Sequence, residues 1–385
     1  MPQTLSPIPM SSLFSYMDQT IVTAAARLWP GARVELGVHA PSVTCYVRMV
    51  EVNGNVLFAK ASVLGLSLVS VVRGTCGSWE AVKKAQSAYV GSPSALMDRE
   101  AAQLRLLSLA GLRTPQVAGL AGGVLFTQPV VGPTLTELMV KEPHRTDALC
   151  ARALRELGQG LRRIAPKADA VAIGERSIPG TFLRKFNGVS GHTYVGLAGN
   201  HASVLGAIVS RLHRLRLAPT VGVRPVVYGD LKPEHIVFPD GPDGPMVFLD
   251  PGMARGRPQA DHAKLISRII LSLFAAPSSA AAVHTVTAGL GSLVDHATAA
   301  LGKSERTAWL RELVVLWLMD TLNIVTTYLT CPVVLPMPPQ AVALAEKAPA
   351  LLALVDQVSG DLVGGVNART VWCQALGRLS KAVLT

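Results

Sequence analysis

Aromatic residues are scarce in this chain, at 5 %, and charged residues make up only 16 %, against 49 % hydrophobic. So little charge on so much apolar sequence excludes a disordered chain and describes one that folds around a core rich in Ala, Val and Leu. Cysteine is sparse too. Cys45, Cys76, Cys150, Cys331 and Cys373 are far apart, odd in number and never in a CxxC pair. That argues against a disulfide framework or a zinc site and suits buried thiols in a reducing cytoplasm. No window of about eighteen residues is apolar throughout. The nearest, Leu313 to Leu335, is cut by Asp320, Asn323 and Pro332 and reads as a buried core helix, so no membrane span is expected. A basic segment followed by an apolar one is missing from the N-terminus, which argues against export. There is no internal repeat and no low-complexity tract.

Charge is present mainly with one sign. The net charge is +11, and it is concentrated. From Arg152 to Arg216 there are eleven Lys or Arg (Arg152, Arg155, Arg162, Arg163, Lys167, Arg176, Arg184, Lys185, Arg211, Arg214, Arg216) and only three acids, Glu156, Asp169 and Glu175. A positive field draws in anions and repels cationic ligands. Arg152, Arg155, Arg162 and Arg163 have the spacing of a solvated helix face. Arg176, Arg184 and Lys185 instead fall in a Pro/Gly-containing stretch with aromatics that reads as a loop, where sites are commoner.

At 385 residues the chain exceeds one typical core, so two lobes are expected. Residues 11–29 carry Leu13, Met17, Ile21, Ala25 and Leu28 at helical intervals, and Pro30-Gly31 stops the run. Val43 to Val50 and Asn55 to Ser62 read as strands joined by Asn53-Gly54, the two-residue hairpin signal. Trp79 to Tyr89 predicts a short helix and Ser94 to Ala110 a firm one, followed by a strand over Gly123 to Val131. Beyond Pro133 helices dominate (Thr134 to Met139, Asp147 to Ile164, Ala202 to Leu217). A β-rich core follows at Pro225 to Tyr228, Ile236 to Phe238 and Met246 to Leu249, with a turn at Asp240 to Gly244. Everything from Gln259 onward reads as helix, with loops at Ala276–Ser279 and Pro332–Pro339. The organisation is therefore an N-terminal helix over 1–32, a sheet-rich lobe over 33–131 and a larger helical lobe over 132–385. The fold class is α+β.

The strongest local signal is Val226-Val-Tyr-Gly-Asp-Leu-Lys-Pro-Glu-His-Ile-Val-Phe238, followed by Val247-Phe-Leu-Asp-Pro-Gly-Met-Ala254. One Asp ends a strand and enters a loop; a second ends the outgoing strand of the following hairpin. Phosphoryl transfer asks for two such carboxylates, one orienting the attacking hydroxyl and one holding the metal that bridges the nucleotide phosphates. Asp230 fits the first role and Asp250 the second, and Lys232 is placed to neutralise charge on the transferring group.

On these residues the chain resembles the aminoglycoside phosphotransferase/protein-kinase-like superfamily, whose catalytic loop reads His-Gly-Asp with an Asn five residues after the Asp. Here it reads Tyr228-Gly229-Asp230, with His235 at the Asn position. The resemblance covers roughly residues 33–275 and is specific around 226–254. It implies a bilobal kinase-like fold with a small β-rich N-lobe and a larger mainly helical C-lobe, using ATP and Mg2+ or Mn2+. It also implies a metal position at Asp250 and His235, a buttress for the catalytic loop at Asp261, and a Lys60–Glu100 ion pair that holds the lysine toward the α- and β-phosphates. Backbone contacts to the base would come from the connector at Thr127, Gln128 and Val130. Two residues depart from the pattern. Imidazole is a poor ligand for a hard cation, so His235 ligates a softer metal, contacts the phosphate or loop, or marks a weakened site. The nucleotide-covering turn, Gly37-Val-His-Ala-Pro-Ser42, has one glycine where protein kinases use three.

The sign of the charge bears on the substrate. An aminoglycoside is a polycation and suits a +11 chain poorly. The chain is more similar to the stand-alone kinases of class V lanthipeptide and thioamitide biosynthesis. That resemblance implies phosphorylation of Ser/Thr hydroxyls on an acidic ribosomal precursor peptide, with elimination to dehydro-amino acids by a separate lyase. Arg176, Arg184 and Lys185 would touch the peptide or its phosphorylated product, in the cytoplasm, with neither nucleic acid nor membrane as partner. A small-molecule O-phosphotransferase and a non-catalytic peptide-binding scaffold of the same fold are the alternatives.

Overall fold

A computed structural model of the chain describes residues 8–215, 217, 223–276 and 278–384; Arg216 of the basic stretch and Pro277 of the predicted 276–279 loop lie outside the described residues. The chain divides into two compact units. The first comprises residues 1–109, 113–130 and 331–338, and the second residues 110–112, 131–330 and 339–385. The architecture is α+β, with the sheet in the first unit and most helices in the second.

The first unit holds helices α1 (Met10–Leu28), α2 (Leu68–Val72), α3 (Trp79–Val90) and α4 (Leu96–Leu109). Its strands are β1 (Val34–Ala40), β2 (Tyr46–Val52), β3 (Asn55–Ala61), β4 (Val117–Ala121) and β5 (Val124–Thr127). They form one antiparallel sheet in the order β1-β2-β3-β5-β4. Asn53 and Gly54 both take positive φ, 50° and 81°, as the predicted two-residue turn requires. Leu13, Met17 and Ile21 of α1 are fully buried, in one core with Tyr46, Ala59 and Phe126. Each such side chain contributes about 1.5–3 kcal/mol by leaving water. Asp18, on the same helix, accepts from Tyr46 Oη at 2.7 Å and from Arg48 Nη1 at 2.7 and 2.8 Å, so α1 is also clipped to β2. Burial, reinforced by that bond to Asp18, pushes the Tyr46 phenol up to about 12.

Two features of this unit correct the sequence reading. Residues 34–40 form the edge strand β1, so Gly37, expected in a nucleotide-covering turn, sits inside a strand. A bulge between Leu36 and His39 is the irregularity there, and β-branched residues too few to mark a strand are the reason it was missed. The strand predicted over 123–131 is shorter, and its partner β4 comes from a Gly/Ala-rich segment with no strand signal of its own.

The second unit contains α5 (Leu135–Lys141), α6 (Thr146–Ile164), α7 (Ile178–Phe186), α8 (Gly188–Leu197), α9 (Ala202–Arg214), α10 (Ala260–Ala275), α11 (Ala280–Thr298), α12 (Lys303–Leu329), α13 (Pro339–Glu346), α14 (Ala348–Val363) and α15 (Ala368–Leu384). Its strand content is slight: β6 (Val226–Val227) pairs with β9 (Ala254–Arg255), and β7 (Ile236–Val237) with β8 (Val247–Phe248). Helix α12 is long and apolar enough to cross a membrane by length and composition, with a mean hydropathy of 1.3, yet 72 % of that window is buried inside the protein. The polar residues in its second half face inward. Asp320, Thr321, Asn323 and Thr326 are all buried, and α10 lies along one side of them, with Ser267 Oγ 3.1 Å from Thr321 Oγ1.

Residues 178–186, read from sequence as part of a loop, are helix α7. Ser177 caps it by accepting from the Gly180 N–H, and Pro179 in its first turn needs no N–H partner. The turn-forming Ser-x-Pro-Gly signature was the start of a helix rather than a loop.

Candidate active site

The predicted catalytic loop lies between β6 and β7, and the segment carrying Asp250 lies between β8 and β9. Three hydrogen bonds zip the two together. Gly252 N–H donates to Tyr228 O at 3.0 Å, and Leu249 N–H to His235 O at 2.9 Å. Tyr228 Oη donates to Leu249 O at 2.6 Å. Gly229 sits at φ +81°, and a Cβ there would come 2.2 Å from Gly252 O, so only glycine lets the loops approach this closely. Asp250 itself holds φ at +52°, a strained conformation for a residue with a side chain and one that recurs at functional sites.

Asp261, in the first turn of α10, is buried and holds the loop from below: Oδ2 accepts the Tyr228 N–H and Oδ1 the Gly229 N–H, both at 2.8 Å. Burial raises its carboxyl to about 6 against the pull of those two N–H groups and of Lys264. Asp230 then projects from an anchored backbone. Its Oδ2 lies 2.9 Å from Lys232 Nζ and its Oδ1 3.3 Å from Lys264 Nζ. Burial pushes the Asp230 carboxyl up, but Lys232, Lys264, His235 and Arg176 together outweigh it and hold the group well below the usual carboxylate range. Asp230 is an ionised acceptor at any working pH.

Asp250 is 44 % exposed at its side chain, and its Oδ2 lies 3.7 Å from His235 Nε2. Burial, then Lys232, lowers the His235 pKa, so the imidazole is neutral near pH 7; its Nδ1 is buried with no hydrogen-bond partner among the described residues. For a hard divalent cation this donor set is thin. Asp250 offers carboxylate oxygen, His235 offers nitrogen, and no three His, Cys, Asp or Glu converge among the described residues. A cation held at Asp250 fits only if phosphate oxygens and water complete its shell, which is the usual situation for nucleotide-bound Mg2+.

In the first unit, Lys60 and Glu100 meet as expected. Lys60 is on β3 opposite Val47 and Leu125, on the face away from buried Leu57, Ala59 and Ala61. Its Nζ lies 2.7 Å from Glu100 Oε1 with side-chain exposures of 12 % and 2 %. Glu100 sits in the buried stripe of α4 with Met97, Ala101 and Leu104, so the pair is set into the unit rather than laid on its surface. In the connector, Thr127 pairs with Phe58 across the sheet and Val130 is half-buried, while the Gln128 N–H is already given to Gln116 O at 2.9 Å. That amide is therefore not open to a base.

The three basic residues expected at the substrate are separated. Arg176 stays beside the loop: the point a Cβ on Gly252 would occupy is 3.5 Å from both Arg176 Cδ and Asp230 Cβ. Arg184 folds back past the start of its helix, donating to the carbonyl of Glu175 just ahead of α7. Lys185 is buried and donates to Asn323 O and Thr327 Oγ1 on α12, each at 2.5 Å, which corrects its reading as a substrate contact. Once 178–186 is a helix, Lys185 shares its inner face with Phe182 and Phe186. Other cations of the basic stretch are also spent internally. Arg152 bonds the Asp243 and Gly244 carbonyls, Arg163 the Ala110 carbonyl, and Arg211 Ser359 and Asp356. Arg155, Arg162, Lys167 and Arg214 remain exposed.

The structure adds three residues that were not singled out from sequence. Lys264 Nζ also lies 3.0 Å from Asp320 Oδ1, and Arg268 Nε lies 3.0 Å from Asp320 Oδ2, all three side chains under 10 % exposed. A signal existed: Lys264 and Arg268 stand four apart in a segment otherwise rich in Ile and Leu, and Asp320 interrupts the longest apolar run in the chain.

No family model matches the chain, and no curated protein does. Solved structures similar to it include an aminoglycoside-3'-phosphotransferase of type VIII (18 % identity, TM-score 0.43, covering 77 % of this chain and 99 % of that one). An ethanolamine kinase from Plasmodium vivax is similar at 10 % identity and TM-score 0.45, over 89 % of this chain and 90 % of that one. A choline kinase from Cryptosporidium parvum is similar at 10 % identity and TM-score 0.45, over 98 % of this chain and all of that one (100 %). Likenesses this distant carry no chemistry.

Proposed function

We propose that this chain is a phosphotransferase that moves the γ-phosphoryl group of ATP to an alcohol. The observation that carries the reading is the setting of Asp230. An ionised carboxylate stands on a loop whose backbone is bonded to a buried Asp261, beside a partly exposed lysine and one zipped loop away from a second carboxylate. Phosphoryl transfer through a loose transition state needs positioning and charge neutralisation more than a strong base. An aspartate with a depressed pKa suits that demand: it accepts the acceptor's hydroxyl hydrogen and orients the oxygen. Lys232 neutralises charge on the moving phosphoryl group. Asp250 would hold Mg2+ or Mn2+, which when bound offsets the charge of the phosphates. Lys60, fixed by Glu100, would pair the α- and β-phosphates.

The acceptor we infer is a Ser or Thr hydroxyl of an acidic precursor peptide, phosphorylated on the way to a dehydro-amino acid, with a separate lyase completing the elimination in the cytoplasm. Support comes from charge. Arg155, Arg162, Lys167 and Arg214 remain exposed, and Arg176 stands at the loop. A cavity of about 290 Å³ within the second unit borders Gly229 and Gly252 and is lined by Ser177 and Arg224, with Arg255 and Arg257 at its wall. Asp169 and Glu312 already pair Arg255 and Arg257, so Arg224 and the Ser177 end of α7 are what this cavity offers an anion. The test is direct: incubation with ATP, Mg2+ or Mn2+ and an acidic Ser/Thr peptide should add phosphate mass to the peptide. Transfer to a cationic aminoglycoside instead would overturn the peptide reading and keep the kinase, and nucleotide binding without transfer to any acceptor would point to a scaffold.

Two further outcomes follow from the same geometry. Lys60→Met should weaken ATP binding by about 10- to 100-fold, since a charge-assisted hydrogen bond is worth about 1.5–3 kcal/mol and each 1.4 kcal/mol is about tenfold; titration calorimetry with ATP reads it. The pH profile of kcat should carry an acid limb near the Asp261 value of about 6. Above it the carboxylate accepts both backbone N–H groups; below it a protonated oxygen becomes a donor and the loop loosens. Asp261→Asn cannot titrate and should lack that limb while running at a lower plateau.

A further inference from the structure

Asp230 has two ammonium partners, and they differ in what they can do. Lys232 belongs to the catalytic loop itself, lies 2.9 Å from Oδ2 and is 19 % exposed at its side chain. Lys264 sits on α10, one turn beyond Asp261, lies 3.3 Å from Oδ1 and is 8 % exposed. The Lys264 ammonium is simultaneously bonded to Asp320 on α12, whose other oxygen is held by Arg268. Charges thus alternate from the loop into the core: Asp230, Lys264, Asp320, Arg268. A lysine pinned between two carboxylates on a packed helix pair has nowhere else to go. The loop lysine, partly in solvent, can leave.

We propose that Lys264 is the positioning residue for Asp230, holding Oδ1 to the α10–α12 pair while Lys232 swings from Oδ2 to the transferring phosphoryl group. This rests on the phosphotransfer reading above. With Lys232 gone from Oδ2, that oxygen is open to the acceptor's O–H. The acceptor oxygen forms its bond to phosphorus as the bond from phosphorus to the β,γ-bridging oxygen breaks. The hydroxyl proton passes to Oδ2, and ADP leaves with the electron pair. Without Lys264, Asp230 would keep Lys232 as its remaining ammonium partner and follow it instead of releasing it. The groups that face Asp230 are Lys232, Lys264, His235 and Arg176, and Lys264 is the one anchored to two helices.

Steady-state kinetics on the full chain test this. Lys264→Met should lower kcat by about 100-fold, the scale of a misplacement of about 1 Å. The KM for ATP should stay within a factor of about three, because the lost interaction is not one that binds nucleotide. Lys264→Arg, which can still bridge two carboxylates, should recover most of the loss. Should Lys264→Met fold poorly, the pair Lys264→Met/Asp320→Asn removes one charge of each sign and leaves the cluster's net charge unchanged. A second readout needs no turnover: the carboxyl resonance of Asp230 in 13C-aspartate-labelled protein, identified by its absence in Asp230→Asn, should move in Lys264→Met. A loss of kcat that arginine does not relieve, or an Asp230 resonance identical with and without Lys264, overturns the proposal. If the wild type transfers phosphate to nothing, the phosphotransfer reading fails, and the resonance comparison still decides whether Lys264 positions Asp230.

Discussion

Asp230→Asn should reduce phosphoryl transfer by about 100- to 10 000-fold, the range over which a positioned proton acceptor contributes. ATP affinity should be nearly unchanged, since the role proposed for Asp230 is toward the acceptor and not the nucleotide. The variant should also fold. Lys264 keeps Asp320 at 3.0 Å, so the buried ammonium retains a negative partner when Asp230 becomes neutral. Circular dichroism and a melting curve like those of the wild type, beside a loss of transfer measured by peptide mass, separate a catalytic role from a structural one. If Asp230→Asn turns over at the wild-type rate, Asp230 does not do the work assigned to it. Substitution of Asp250 by Asn should act differently, lowering transfer in a way that rising Mg2+ or Mn2+ partly relieves, because that carboxylate is the oxygen donor proposed to hold the cation.

How much of this was visible in the sequence depends on how local each feature is. The Asn53-Gly54 hairpin was legible because two adjacent positions with positive φ admit few residues. Gly229 stood in the catalytic-loop motif, but that its missing Cβ lets two loops touch came from the structure. Helix α4 and its Glu100 were legible from 3.6-residue periodicity, and α12 from its length of apolar sequence. Strands β1 and β4 were not, since each rests on its neighbours in the sheet for definition and carries Gly, Ala or charged residues that do not alternate cleanly. Helix α7 was missed because Pro and Gly in its first turn read as breakers, although both are permitted there before the first intrahelical N–H bond is due. The basic stretch misled in another way. Net charge is additive along a sequence, but the structure spends Arg152, Arg163, Lys185 and Arg211 on carbonyls, hydroxyls and carboxylates far away in the chain, from 53 to 148 residues distant. The Asp230–Lys264–Asp320–Arg268 cluster was hidden for the same reason: its members span residues 230–320 and meet only when α10 packs on α12.

Asp320→Ala should be the most destabilising single substitution at this site, by about 3–5 kcal/mol, the cost of leaving a buried charge without its partner. Lys264 and Arg268 are 8 % and 9 % exposed, and Asp320 lies between them at 2 %. Removing it takes the shared carboxylate from between two buried cations and leaves Lys264 with Asp230 alone, at 3.3 Å. For a unit of this size the melting temperature should fall by on the order of 10 °C. Tryptophan fluorescence is a suitable probe, because Trp317 is buried on the same helix with its ring perpendicular to that of Trp372, 6.0 Å away. The pH dependence identifies the charge as the cause. Burial pushes the Asp320 carboxyl up, but Arg268 and Lys264 overcome it and hold the group below its ordinary value. A carboxyl whose pKa is lower folded than unfolded contributes stability that is fully present above the unfolded value of about 3.9 and disappears as the pH falls through the folded value. The gap between wild type and Asp320→Ala should therefore be widest near neutrality and narrow below about pH 4 as the wild type loses the same interaction. Asp320→Asn, which still accepts from Arg268, should fall between the two. A gap that stays constant with pH would mean that the substitution acts by opening a cavity, and the ion cluster would then be incidental to the packing of α10 on α12.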